Sequence, residues 1–340
     1  MERRLGLLSQ HINAAHKYAS RQCLHFDKFG KRCRNESIRS HSLQRMGPLK
    51  SISENGHVIR FGQPLAMSAL ISKDTFEEVG VKKASIFNGF CAEHDSRIFS
   101  EIESARVEFN SRTALIFLIR AQSMEYYRKQ VMRQLFNGLL SDDKLPQDRF
   151  RKEFMRLTVR GSEHAIADGE QKIKQYFSFL HKSIPSNFKF IAVRFSGKIP
   201  LAATGAFEPE FDFDRNFLFS CDPLKTKWNF IGFFSGNIGR DSLLLISGVQ
   251  KYRMHRIDKF LHGLSQRKDD LPSLLITLLC AFSENVFFQN SYFSSLPEDD
   301  LDTLNKLRLS GVNEGIRNPG VFDLRIAIPR VSVSEFVART

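Results

Sequence analysis

"FNGFCAEHDSRIF", residues 87–99, separates Cys91 from His94 by two residues where a turn runs into a helix. Thiolate and imidazole both suit a borderline-soft ion, and a tetrahedral site needs four such side chains converging from two chain segments. If this is half a metal site, its other half lies elsewhere in the chain. The alternative is a buried small hydrophobe at Cys91 beside a surface histidine at position 94.

The upstream donors are Cys23 and Cys33. They bracket "LHFDKFGKR", a turn-prone stretch with Asp27, Lys28, Phe29 and Gly30 at its tip. Zinc sites of the treble-clef kind take two ligands from a knuckle and two from the first turn of a helix, with a hairpin between them. Here the order of parts fits, with Cys23, Cys33, Cys91 and His94 as ligands of a structural Zn²⁺. The spacing departs from the usual two to four residues of a knuckle, and an inserted loop at Asp27–Gly30 would absorb the difference. His25 and His41 compete as ligands. The five cysteines are an odd number, in a chain whose basic N-terminus leads into no signal-peptide core, so reduced thiols are expected. Cys221 and Cys280 sit in apolar surroundings and read as core.

Charge follows the same asymmetry. The chain carries a net charge of +13, concentrated in residues 1–60. Arg32, Arg34, Arg39 and Arg45 interleave with the Cys/His positions and are the candidate phosphate contacts for DNA or RNA. A solvated basic face, or pairing with acids elsewhere in the fold, is the alternative. At 340 residues with 42% hydrophobic content the chain forms a core without needing metal to fold. No apolar run reaches the roughly 18 residues of a membrane span, so a soluble, cytoplasmic protein with no membrane partner is expected.

Periodicity divides the chain at about residue 108. Before it, "MERRLGLLSQHINAAHKYAS" reads as an amphipathic helix, and "LKSISENGHVIRFG" as a hairpin with a type I′ turn at Asn55 and Gly56. "DSRIFSEIESARVEF" places Ile98, Phe99, Ile102 and Val107 on one helical face. After it, residues 111–140 and much of 147–182 read as long helices. Then "FKFIAVRF", "LAATGAF", "NFLFS", "WNFIGFFS" and "DSLLLISG" read as strands of an antiparallel meander, with further helices near 249–265, 271–286 and 298–309. The expected fold class is α+β: a basic, treble-clef-like zinc domain over 1–108 and a larger α+β domain with an antiparallel sheet and several helices over 109–340.

"RCRNESIRSHSLQR", a hairpin and "NGFCAEHD" together resemble the HNH, or His-Me-finger, nucleases. The resemblance implies His41 as general base, Asn88 as its orienting residue, and Asp95 as ligand to a catalytic Mg²⁺ or Mn²⁺, in metal-assisted phosphodiester hydrolysis. Ser40 stands where that family has Asp, Glu or His, and the stretch from His41 to Cys91 is about twice the length a compact module needs. A looser resemblance links "IRSHSLQRMGPLKSISENGHV", "KKASIFNGFCAEHDSRIFSEIE" and "FSENVFFQNSYFSSLP" to a group of uncharacterised bacterial two-domain proteins; it implies the architecture and a bacterial origin. Two functions follow: a nucleic-acid-directed zinc-binding module without catalysis, or an HNH-like endonuclease.

The larger region offers one more cluster. "GAFEPEFDFDRN" spaces Glu208, Glu210, Asp212 and Asp214 by two, which in a strand turns all four carboxylates to one face. The expectation is a solvated hairpin edge with Phe207, Phe211 and Phe213 inward rather than a cation site.

Overall fold

Strands that bury both faces carry apolar side chains at every position, and that is how the central sheet is built. The computed structural model describes residues 2–62, 76–104, 106–143, 148–218, 230–251, 255–309 and 319–339. In β5 (Phe188–Ser196), Phe188, Phe190 and Ala192 enter one hydrophobic core while Ile191, Val193 and Phe195 enter the other. In β8 (Asp241–Val249), Leu243 and Leu245 likewise oppose Leu244 and Ile246.

Eight antiparallel strands run in the order β10 (Ser332–Arg339), β5, β8, β7 (Ile231–Ile238), β6 (Leu201–Phe207), β9 (Val286–Phe288), β2 (His57–Phe61) and β3 (Phe76–Gly80). The meander expectation holds for β6, β7 and β8 only. β8 is apolar on both faces and pairs along its length with β7 and β5 alike, so β5 and β6 are neighbours in sequence but not in the sheet. A second sheet joins β1 (Arg39–His41) to β4 (Ile86–Asn88), with Arg39 opposite Asn88 and His41 opposite Ile86.

Nine helices accompany the sheets among the described residues. α1 is Glu2–Tyr18, α2 the single turn Lys50–Ile52 and α3 Ala92–Phe99. The long pair α4 (Ser111–Leu140) and α5 (Arg149–His181) starts where side-chain caps permit: Asn110 accepts from the Arg112 and Thr113 amides, and Asp148 from the Arg151 amide. These helices and the Cys/His region cover one face of the large sheet; α6 (Arg256–Ser265) and α7 (Leu271–Phe282) cover the other. α8 (Asn290–Ser294) and α9 (Glu298–Leu309) follow β9. None of the described helices is long and apolar enough to cross a membrane. Cys280 is core, its thiol pushed up by burial, as expected; Cys221 lies outside the described residues.

Two local expectations change. Asn55 and Gly56 do make the turn, with φ of 51° and 77°, but the arm before it is α2 and a lone Glu54–His57 bridge rather than a strand. β2 instead pairs with β3 and β9, which lets Val58 and Phe61 join the cores on opposite faces of the large sheet. The helix expected from Asp95 begins at Ala92 and gives way after Phe99 to a 3₁₀ turn over Ser100–Ile102. Ile98, Phe99, Ile102 and Val107 are nevertheless all buried.

Candidate metal centre

The long spacing between Cys23 and Cys33 is taken up by a small irregular hairpin. The Cys23 amide donates to Asn35 O at 3.0 Å and the Cys33 amide to His25 O at 2.9 Å, which sets the two cysteines on opposite antiparallel arms. At the tip, Asp27 Oδ1 accepts from the amides of Phe29 and Lys31 at 2.9 and 2.8 Å, and Gly30 turns the chain at φ 75°. Two further amides, Leu24 to Gly89 O and Ile38 to Phe90 O, both at 2.8 Å, tie this hairpin to the segment leading into α3. Cys91 stands immediately before the helix and His94 in its first turn.

The ligand atoms of Cys23, Cys33, Cys91 and His94 therefore converge, all within 4.8 Å of one another. His94 Nδ1 lies 3.1 Å from Cys91 Sγ and 3.6 Å from Cys23 Sγ, close to the donor-to-donor edge of about 3.5–3.8 Å that Zn–S and Zn–N bond lengths imply for a tetrahedron. Among the described residues this is the one group of three or more His, Cys, Asp or Glu that could hold a metal ion. Its protonation in the bare protein is uneven. Burial pushes the Cys23 thiol up to about 12. Burial also acts to raise Cys91, but the His94 amide, Cys23 and the Asn35 side chain, 4.0 Å from its sulfur, bring it below the ordinary thiol value. Burial, with Arg97 beside it, holds His94 below its usual value, in the neutral form that ligation needs.

The surroundings show which histidine stands in the quartet. His25 stacks flat on His94, ring centroids 3.7 Å apart and planes 13° apart, outside the quartet. Burial and its neighbours His94 and His181 pull His25 down to about 4. Phe177 and His181, one turn apart at the end of α5, pack edge-on against the His25 ring at 4.9 and 5.6 Å, and His181 Nε2 lies 3.0 Å from Phe26 O. Sequence reasoning misses this buttress, although "YFSFLH" shows the one-turn spacing. His41 lies apart from the cysteines, its Nδ1 2.9 Å from Ala84 O.

The residues that the HNH resemblance marks are divided. Asp95 is half-buried beside Ser40, Arg120, Glu103 and His41, and burial pushes its carboxyl above the usual carboxylate range. Arg120 donates to Glu103 at 2.5 Å; a buried guanidinium is a poor companion for a divalent cation at Asp95. Asn88, on β4, lines a separate cleft with Arg39 and Lys83.

The arginines divide as well. Arg32 is a clamp: Nε donates to Cys23 O, Nη2 to Gln22 O and Nη1 to Glu170 on α5 at 2.8 Å. Arg34, Arg39 and Arg45 are exposed, and among the described residues none has a carboxylate within 4 Å. The acidic string of the large region does not form one face. β6 ends at Phe207, Glu208 is buried against Arg256 at 2.5 Å, and Asp212 turns inward to accept from the Asp214 and Asn216 amides. Phe207 and Phe213 are buried as expected.

The HNH and bacterial two-domain resemblances rest on the quoted residues alone, for the chain matches no protein-family model, no curated protein and no solved structure.

Proposed function

We propose that the chain is a zinc-stabilised, nucleic-acid-directed binding protein. The observation that carries the reading is the convergence of Cys23, Cys33, Cys91 and His94 from a hairpin and a helix start. That order of parts also supports describing the unit as treble-clef-like. Four protein donors leave zinc no open coordination position, which makes the site structural rather than catalytic. Zinc bound there cross-links the 22–36 hairpin to α3. Arg34, Arg39 and Arg45 then stand on a fixed surface, free of carboxylate partners among the described residues, as phosphate contacts require.

Elemental analysis of purified protein tests the first half: one zinc per chain is expected, with loss in Cys91→Ser. Wild-type protein without zinc would end the proposal. Titration of DNA and RNA oligonucleotides across a salt series tests the second half. Arg34→Gln/Arg45→Gln should weaken binding and flatten the salt slope by roughly 0.9 for each duplex phosphate that is no longer neutralised. Binding that ignores both salt and these arginines would remove nucleic acid from the reading.

A specific feature favours the endonuclease as second reading. The Ala84 carbonyl accepts from His41 Nδ1, leaving Nε2 as the proton acceptor, and burial holds the ring below its usual pKa and so neutral near pH 7. In a Mg²⁺/Mn²⁺ cleavage assay on plasmid and RNA, activity lost in His41→Ala supports it. Zinc-loaded protein with no His41-dependent cleavage leaves the binding module alone.

A further inference from the structure

A cleft of about 660 Å³ opens between α1, α4, the β1–β4 pair and β2, away from the Cys/His quartet. That volume is in the range of small-molecule sites, roughly 300–1,000 Å³. Its two sides differ in chemistry. Ile12, Met124, Val131, Leu135 and Phe136 from the two helices make one side apolar, and Phe287 on β9 stands beside Arg60, its cross-strand partner. The opposite side carries Arg21, Arg39, Arg60 and Lys83, with Lys17 and Arg128 on the helix side, against a single lining carboxylate, Glu284.

Three of these six cations have a carboxylate within 4 Å, that of Arg21 being long and solvent-exposed. Arg128 is paired with Glu125 and Glu284, Arg60 with Glu77 at 2.5 Å, and Arg21 with Glu36 at 3.6 Å. Lys17, Arg39 and Lys83 have no carboxylate within 4 Å among the described residues. His16, whose Nδ1 is 2.9 Å from Tyr127 Oη at the cleft wall, is held below its usual value by desolvation first and then by Arg60 and Arg39. Three amides also line the cleft: Asn285 donates to Ser42 and Thr204, while among the described residues neither the Asn13 nor the Asn88 side chain makes a hydrogen bond. Each of the latter two offers a donor and an acceptor together, which is what the edge of a nucleobase pairs with and an acyl chain does not.

We infer that this cleft binds a nucleoside phosphate, with its phosphates on the Arg39/Lys83 side, its base against the apolar helix side, and Asn13 or Asn88 reading the base edge. The same chemistry is presented by a free nucleotide and by the 5′-phosphorylated end of a strand. The inference shares only Arg39 with the zinc-stabilised polyanion reading and stands without it.

Calorimetric titration of the full chain with ADP, GDP, CDP and UDP, with adenosine and inorganic pyrophosphate as half-ligands, tests it. At least one nucleotide should bind one to one and at least about tenfold tighter than either half-ligand. Arg39→Gln/Lys83→Gln should lose tenfold or more, on the scale of charge-assisted hydrogen bonds, while the charge-matched Lys259→Gln/Lys306→Gln, on α6 and α9, keeps the affinity. Equal circular dichroism and metal content in the two variants keep a folding defect from imitating the loss. Competition by an oligonucleotide with and without a 5′-phosphate separates the two sources: displacement that needs the 5′-phosphate identifies a strand end, displacement by mononucleotides alone a free nucleotide. The inference is overturned if no nucleotide and no 5′-phosphorylated strand binds, if pyrophosphate matches the nucleotides, or if Arg39→Gln/Lys83→Gln binds like wild type.

Discussion

The sequence offers two sets of four side chains of the types that can ligate metal, and they behave oppositely. Glu208, Glu210, Asp212 and Asp214 lie within seven residues of one another in sequence, yet the structure sends them to different partners: Arg256 for Glu208, backbone amides for Asp212, and Arg267, 3.6 Å away, for Asp214. Cys23, Cys33, Cys91 and His94 span far more of the chain, yet their donor atoms meet within 4.8 Å. The difference lies in what else can satisfy each group. A carboxylate finds guanidinium and amide partners almost anywhere. Buried thiols beside an imidazole have only weak donors and acceptors for one another, so their convergence points to an ion, whereas the acids' nearness does not.

That contrast is most exposed to attack at the metal centre. On the zinc reading, a strong chelator, or Cys91→Ser, should lower the thermal midpoint by about 5 °C or more, since structural zinc contributes several kcal/mol to folding and each kcal/mol moves a chain of this length by roughly 1–2 °C. A scanning calorimetry trace unchanged by the chelator would put the quartet on the same footing as the acids. Next in size is Glu208, the acid of the string that is paired with a buried guanidinium. Glu208→Ala takes a buried carboxylate from Arg256, which with Glu208 is almost wholly removed from solvent, side-chain exposures being 5% and 3%. A cost of about 3–5 kcal/mol in urea unfolding is expected, and Glu208→Leu/Arg256→Met should recover most of it. A double variant as weak as the single one would show that the pair matters for more than mutual neutralisation.

Much of this is legible in the sequence, for physical reasons that differ by element. α4 and α5 are readable because a 3.6 period over some thirty residues is unambiguous and Asn110 and Asp148 mark their starts. The quartet is readable from residue type, because few other uses gather cysteine and histidine in one region. The partners of β2 are not, since strand pairing is decided by which distant face needs cover, and Val58 and Phe61 find theirs beside β9 and β3. The acidic string misleads because its alternation runs through Pro209, which has no amide to offer a ladder; the strand stops at Phe207 and the period-two argument stops with it. Asn88 is legible as a functional residue type, but only the register of β4 against β1 shows that it lines the cleft with Arg39.

Two of the three remaining acids grade the contrast downwards. Asp212 accepts from the Asp214 amide at 3.0 Å, the Asn216 amide at 2.8 Å and Asn216 Nδ2 at 2.9 Å. Asp212→Ala leaves those donors to find water and should cost about 1–3 kcal/mol, with Asp212→Asn, which keeps an acceptor oxygen, well below that. Asp214 is the opposite limit: its side chain is 78% exposed and its ion pair with Arg267 is long at 3.6 Å. Solvent screens such a pair and the ordering of two mobile side chains offsets what remains, so Asp214→Ala should change unfolding free energy by no more than about 0.5 kcal/mol. A larger loss, surviving in 1 M salt where surface Coulomb terms are screened within about 3 Å, would mean that Asp214 works together with Asp212 and Glu208 after all. The acidic string would then be a site in its own right, and the contrast with the Cys/His quartet would fail at its weakest member.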